Sequence, residues 1–335
     1  MDKFEKYSSL TNHYQEKFIN AIIMNGLDKG EWVAQEKVHG ANFSFHFDGT
    51  EHKQAKRSSF CDENFFNCGS ILKYRPSIEM IYKVLEEYKL IDKGDTIVVF
   101  GEIFGGNYKG QKEPNAKTVQ GGMQYHPDNE FMAFDIKVNG SFLPFMEVEN
   151  LCKVSRLPLA PVVAYGDFQE MLEVNNEFDS YVPEDLGLEK VEGGIAEGLV
   201  IRPYLDEKDF KGTRLLIKSK NSKFSEVARK AKTVKKSVKL NDDETAVLEN
   251  FSRYFTANRV DATISKHGEI VWKDFAKIAG LVFQDAMEDY NKDVFNRLDD
   301  DRTLKKVLGD SWTAFGKHAK MASDEVVRDR FKEIL

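Results

Sequence analysis

Trp32-Val33-Ala34-Gln35-Glu36-Lys37-Val38-His39-Gly40-Ala41-Asn42-Phe43-Ser44-Phe45-His46-Phe47 is the stretch on which the reading of the chain turns. Residues 32–36 and 42–47 are each rich in aromatic and β-branched side chains and read as strands. Lys37 lies on the step between them, three residues before a glycine. Such a lysine can be an ordinary solvated residue at a hairpin, or it can be held in a pocket as a covalent nucleophile. The segments that follow favour the second reading. In order along the chain come Phe100-Gly101-Glu102-Ile103-Phe104-Gly105, Phe131-Met132-Ala133-Phe134-Asp135-Ile136, Ala196-Glu197-Gly198-Leu199-Val200-Ile201-Arg202 and Leu216-Ile217-Lys218-Ser219-Lys220.

The chemistry that these residue types allow is coherent. A lysine attacks a phosphate only as the neutral amine, although its unperturbed pKa of about 10.4 keeps it charged at neutral pH. Nearby cations and desolvation lower that value, and Lys218 and Lys220 are the candidate cations. Strand alternation puts both on one face, with Ile217 and Ser219 on the other. Two adjacent lysines repel unless an anion lies between them, and a triphosphate supplies one. Glu102, in the apolar run Ile97-Val98-Val99-Phe100, must be paired or must reach an open pocket, and Arg57 is its candidate partner.

The ordered series resembles the motif set of the covalent nucleotidyltransferases, the polynucleotide ligases and mRNA capping enzymes. The Lys-x-His-Gly form, Ala41-Asn42-Phe43-Ser44 after it, and Ile217-Lys218-Ser219-Lys220-Asn221-Ser222-Lys223-Phe224 are similar to the phage RNA ligase 2 family, which includes the trypanosome RNA-editing ligases. Asn258-Arg259-Val260 and Ile264-Ser265-Lys266-His267-Gly268-Glu269-Ile270 extend the likeness over nearly the whole chain. The resemblance implies an ATP-dependent RNA ligase that forms a lysine–AMP intermediate and seals 5′-phosphate and 3′-hydroxyl ends at nicks in duplex RNA or RNA–DNA hybrid. It makes Lys37 the nucleophile, with Lys218 and Lys220 as catalytic cations. It places Glu36, Val38, Asn42, Arg57, Glu102 and Phe134 on the nucleotide, the last stacked on adenine. It assigns Glu197 to a magnesium or manganese ion, and Phe65, Phe66, Lys223 and Arg259 to nucleic acid. A DNA ligase, a GTP-using capping enzyme or an inactive nucleic-acid-binding relative remains the alternative. Gln35, Ala41 and Arg202 depart from the pattern, standing where arginine, threonine and lysine are usual.

Phe65-Phe66, in the polar run Asn64-Phe65-Phe66-Asn67, reads as either core packing or an exposed ring, because adjacent strand residues cannot share one face. The net charge of −7 conceals a basic block. Over residues 211–239, Arg214, Lys218, Lys220, Lys223, Arg229, Lys230, Lys232, Lys235, Lys236 and Lys239 face a lone Glu226. It reads as a solvated linker or as a track for a polyphosphate backbone. Three cysteines with no C-x-x-C pair point to free thiols rather than zinc or disulfides. The charged opening Met1-Asp2-Lys3-Phe4 is unlike a secretory leader, and no apolar run approaches the roughly 18 residues of a membrane span. The expectation is a monomer in the cytoplasm, of a phage-infected bacterial host by the resemblance.

The expected fold class is α+β: a nucleotidyltransferase (ATP-grasp-like ligase) domain of antiparallel sheets with flanking helices, plus a small all-helical C-terminal domain. Strands are expected at 96–104, 131–138, 198–203 and 213–219. A helix capped by Ser77 should bury Ile78, Ile81, Tyr82 and Leu85. Residues 1–225 form the expected catalytic domain, 226–241 the linker and 242–335 the helical domain, where Val247, Leu248, Phe251, Tyr254 and Phe255, and then Phe275, Ile278, Ala279, Val282, Phe283 and Ala286, recur at helical spacing.

Overall fold

The computed structural model describes residues 4–227, 240–295 and 302–335. Arg229, Lys230, Lys232, Lys235, Lys236 and Lys239 of the basic block lie outside them. The chain divides into two compact units, Met1–Lys223 and Phe224–Leu335.

The first unit is built on two sheets. One has five strands in the order Thr11–Asn12, Ile217–Lys220, Gly198–Pro203, Trp32–Glu36, Val162–Gly166, antiparallel throughout except for the short parallel pair at its Thr11–Asn12 edge. The other is wholly antiparallel, with six strands in the order Ser59–Phe60, His52–Lys56, Ala41–Phe47, Ile97–Asn107, His126–Val138, Ser141–Phe142. Trp32–Glu36 and Ala41–Phe47 therefore belong to different sheets. Lys37 does not sit on a hairpin; Lys37 to Gly40 carries the chain from one sheet to the other. Gly40 fits this crossing because a Cβ there would stand 2.2 Å from the Ile103 carbonyl oxygen and 2.9 Å from Glu102 Cγ.

Alternation along Ala41–Phe47 sends Phe43, Phe45 and Phe47 into a core with Phe131, Ile103, Ile136 and two helices, Arg75–Glu87 and Phe145–Ser155. Ile78, Ile81, Tyr82 and Leu85 form the buried stripe of the first helix, as their spacing predicts. Ser77 does not cap it. The helix starts at Arg75, continuing from the 3₁₀ stretch Phe65–Tyr74, and Pro76 fits its first turn, where an amide proton has no intrahelical partner. The strand expected over 213–219 is broken at Leu215-Leu216 into Thr213–Arg214, which pairs with Asp209–Phe210, and Ile217–Lys220.

The second unit is helical over its described residues, with Asp242–Ser252, Ala257–His267, Phe275–Phe295, Leu304–Leu308 and Trp312–Ile334 around one core. Asn241 caps the first of these through a reciprocal pair with Glu244, and Thr256 caps the second through the Arg259 amide. Leu248, Phe251, Phe255, Ile278, Val282 and Ala286 are all core residues. Tyr254 and Phe255 reach that core from beyond the end of their helix.

Candidate active site

Glu197 is the centre of the site. It precedes the strand Gly198–Pro203, which hydrogen-bonds to Trp32–Glu36 on one side and to Ile217–Lys220 on the other. This places Glu197 between the two segments that carry the lysines. Its side chain is only 2% exposed. One oxygen, Oε2, accepts from Lys37 Nζ at 2.6 Å and lies 3.0 Å from His39 Nδ1; the other, Oε1, lies 2.9 Å from Lys220 Nζ. Burial works to raise the Glu197 pKa, but Lys220, Lys37 and His39 more than offset it and hold the carboxyl well below the usual range. Two ammonium groups and an imidazole thus converge on one buried carboxylate. The Lys37 amide donates to the Gly198 carbonyl at 2.8 Å, tying the 37–40 crossing to the strand that follows Glu197.

Lys218 and Lys220 share a face, since Ile217 and Ser219 are buried while both lysines are half-buried. In register, Lys218 stands opposite Val200 and Lys220 opposite Gly198. Glu102, paired across the sheet with Asn42, approaches the site from the other sheet. Burial pushes its carboxyl up to about 8, and Glu197 adds to the rise; Lys37, the Gly40 amide and Arg57 act in the opposite direction. Phe134 is half-buried, with its ring 4.9 Å edge-on from that of Tyr7. Val38 is buried. Lys223 is exposed on the turn Ser222–Phe224.

Glu36 faces away from Lys37. Its carboxylate is 1% exposed and accepts from Ser180 Oγ at 2.5 Å and from the Tyr181 amide at 2.8 Å. Its side chain therefore belongs to a buried network rather than to a nucleotide pocket. Burial pushes it up to about 7, from 4.5. The folded state consequently holds this proton more tightly than the unfolded chain does, so the group favours folding below about pH 4.5 and loses that contribution as pH rises to about 7. Glu36→Gln is expected to remove a fall in stability of up to about 3 kcal/mol over that window. Denaturant unfolding of both proteins at pH 5 and pH 8 checks it.

The residues assigned to nucleic acid are placed differently. Phe65 and Phe66 are 7% and 3% exposed, with rings 4.9 Å apart, and both pack in the core of the first unit. The strand argument fails because they are not on a strand. Phe66 and Asn67 adopt left-handed backbone angles, φ 46° and 51°, which turn the second ring back inward. Arg259 is 0% exposed. Its guanidinium pairs with Asp285 and with Asp289 at 3.0 Å, with Glu226 at 3.8 Å, and donates to the Tyr254 carbonyl at 2.8 Å. The structure gives Arg259 to these carboxylates, so its assignment to nucleic acid is withdrawn. Arg259→Ala would leave them facing one another around a buried void and is expected to destabilise the second unit by about 3–5 kcal/mol, read by chemical denaturation. Arg214, from the basic block, is likewise committed, to Asp135 at 2.9 Å and Glu207 at 2.6 Å. Arg202 uses its planar fork on the same two carboxylates, at 3.3 and 3.0 Å.

The chain belongs to the RNA ligase family, whose model matches residues 30–220, more than half of its length. Residues 237–314 match the family of the T4 RNA ligase 2 C-terminal domain, which makes the chain a ligase relative of the T4 RNA ligase 2 type. Among curated proteins it is 32% identical to the mitochondrial RNA-editing ligase 1 of Trypanosoma brucei brucei, over 56% of this chain and 48% of that protein. It is 30% identical to RNA-editing ligase 2 of the same organism, over 59% and 55%. The chain thus spans about half the length of the curated relatives it matches. Solved structures that resemble it include Naegleria gruberi RNA ligase variants, one with AMP and Mn and one with ATP and Mn. Each aligns with a TM-score of 0.41, at 14% and 13% identity, covering 66–67% of this chain and 57–58% of theirs. Among the described residues no helix is long and apolar enough to cross a membrane.

Proposed function

We propose that the protein is an ATP-dependent RNA ligase working through a lysine–AMP intermediate. The observation that carries this reading is the convergence of Lys37, Lys220 and His39 on the buried Glu197 carboxylate. Cations from separate segments are held together in the free protein by a single internal anion. A polyphosphate offers the anionic oxygens that would take over from that carboxylate. In the first step the neutral Lys37 amine attacks the α-phosphate of ATP, pyrophosphate leaves, and the amine gives up a proton. Lys218 and Lys220 stabilise the charge that builds on the phosphate. The AMP then passes to a 5′-phosphate, and an adjacent 3′-hydroxyl displaces it to close the strand.

Magnesium or manganese fits the oxygen donors present, Glu197 foremost, because such ions take few carboxylates and keep several waters. When bound, the ion would polarise phosphate oxygens and draw Glu197 from the lysines. Arg57, Glu102, Asn42 and Phe134 are proposed to hold the nucleoside. The proposed substrate is a nick in duplex RNA or RNA–DNA hybrid, with Lys223 on the strand. The phage setting rests on the motif resemblance alone, the curated relatives being mitochondrial.

Incubation with labelled ATP and magnesium, followed by denaturing electrophoresis, should label the protein; labelling by GTP alone would move it to the capping branch. A fragment of residues 1–225 should still label itself, since every proposed nucleotide contact lies within it, and should seal a nicked duplex at least about tenfold more slowly. A fragment that seals as fast as the full chain would remove the helical unit from strand binding.

A further inference from the structure

Asn176 grips the strand that carries Lys218 and Lys220. Its side-chain nitrogen Nδ2 donates to Ser219 Oγ at 2.8 Å and to the Lys220 carbonyl at 3.1 Å. A carbonyl only accepts, so the nitrogen end of the amide must face the strand, and its two protons serve these two oxygens. Ser219 is 5% exposed and points away from the face that bears the lysines, so the grip comes from the side opposite to the site.

The ladder explains why a side chain is needed there. The carbonyls of Leu216 and Lys218 accept the Thr11 and His13 amides at 2.9 and 3.0 Å, and the Lys220 carbonyl, two residues further, points to the same edge. The Thr11–Asn12 strand stops short of it. The chain turns there, the Asn12 carbonyl accepting the Gln15 amide at 3.0 Å, and leaves as the helix Glu16–Met24. Asn176 supplies the donor that a longer strand would have brought. Lys218 lies inside the ladder, in register with Asn12 on one side and Val200 on the other.

The segment that holds Asn176 is itself fixed. Asn175 closes a turn around it, its Oδ1 accepting the Glu177 amide and its Nδ2 donating to the Glu177 carbonyl, both at 3.0 Å. On the approach to Glu197 the Ala196 amide donates to the Phe178 carbonyl at 2.9 Å and the Ser180 amide to the Gly194 carbonyl at 2.8 Å. The Tyr181 amide donates to Glu36, the residue before Lys37. Residues 176–181 thus run past the strand ends at Lys220, Glu197 and Lys37 and tie them to one another.

We infer that Asn176 is a positioning residue for Lys220, holding the end of its strand so that the ammonium group stays where Glu197 meets it in the free protein and where the α-phosphate would take its place. The inference rests on the role proposed for Lys220 in the ligase reading. Asn176→Ala removes both donors, and Asn176→Asp keeps the shape but turns only acceptors toward the two oxygens. Single-turnover lysine–AMP formation at saturating ATP should slow about tenfold or more in each. In Asn176→Ala the ATP concentration for half-maximal rate should change less than twofold, because the charge of Lys220 remains in the site. In a Lys220→Ala background the further loss of Asn176 should change the residual rate less than twofold, since the two act as one unit. The Lys220 Cε resonance of the nucleotide-free protein, assigned by its loss in Lys220→Ala, should shift in Asn176→Ala. A wild-type rate in either Asn176 variant, a defect confined to ATP affinity, or losses that multiply in the double variant would each overturn the inference. A wild-type protein that forms no lysine–AMP ends the ligase reading instead; the Lys220 resonance still reports on the grip, and an unmoved signal in Asn176→Ala overturns it there too.

Discussion

Lys37→Ala is expected to abolish labelling of the protein by ATP while leaving the fold intact. The proposed bond to AMP is made by the Lys37 nitrogen itself, whereas Lys220 reaches Glu197 from the opposite strand, through the other oxygen. The stability cost should be small. Lys37 lies on a crossing rather than in a core, with its side chain 22% exposed, and its side-chain partner Glu197 keeps Lys220 and His39. A labelled band of normal strength in this variant would remove Lys37 from the mechanism. Loss of labelling together with a lowered unfolding midpoint would show instead that the Lys37–Glu197 pair holds the two sheets in place.

The parts of the fold that were legible in the sequence are those governed by local periodicity. Short apolar-rich runs mark Trp32–Glu36 and Gly198–Pro203 to the residue, and the spacing of Ile78, Ile81, Tyr82 and Leu85 identifies a helix face without regard to where the helix begins. Its start was not legible, because Ser77 is a good cap by type and only the preceding 3₁₀ stretch makes it unnecessary. Phe65 and Phe66 were ambiguous for a related reason: a left-handed turn at a phenylalanine is rare, and no residue type announces it. Arg259 was misassigned because a basic residue in a familiar pattern looks alike whether it faces phosphate or three carboxylates, and those carboxylates come from Glu226, Asp285 and Asp289 elsewhere in the unit. The site divides in the same way. Lys37, Glu102, Glu197, Lys218 and Lys220 are carried by motifs. Asn176 and Ser180 are not, since they meet Lys220 and Glu36 across 44 and 144 residues of sequence and chemistry alone does not pair an asparagine with a distant backbone carbonyl. His39 was visible in Lys-x-His-Gly but was given no task; its contact with Glu197 supplies one.

Glu197→Gln and Lys220→Ala are expected to part company on ATP binding while both losing adenylylation. In the free protein Glu197 neutralises Lys37 and Lys220, so an incoming triphosphate must displace a competing anion. Glutamine keeps the size and one acceptor oxygen but removes that charge, and without divalent metal ATP should therefore bind at least as tightly as to the wild type. Lys220→Ala removes attraction instead, and binding should weaken. On the chemical step the two agree. Lys220→Ala deletes the donor proposed for the developing charge, and losses of this kind are on the order of 10²-fold or more in rate. Glu197→Gln deletes the carboxylate proposed to hold the metal, and should be at least as slow in its presence. ATP binding measured in a chelator, set beside single-turnover adenylylation in magnesium, separates the contributions. Weaker chelator-phase binding in Glu197→Gln would show that the carboxylate orders the two lysines for phosphate rather than competing with it, and wild-type rates in Lys220→Ala would leave that lysine as the counter-charge of a buried glutamate and nothing more.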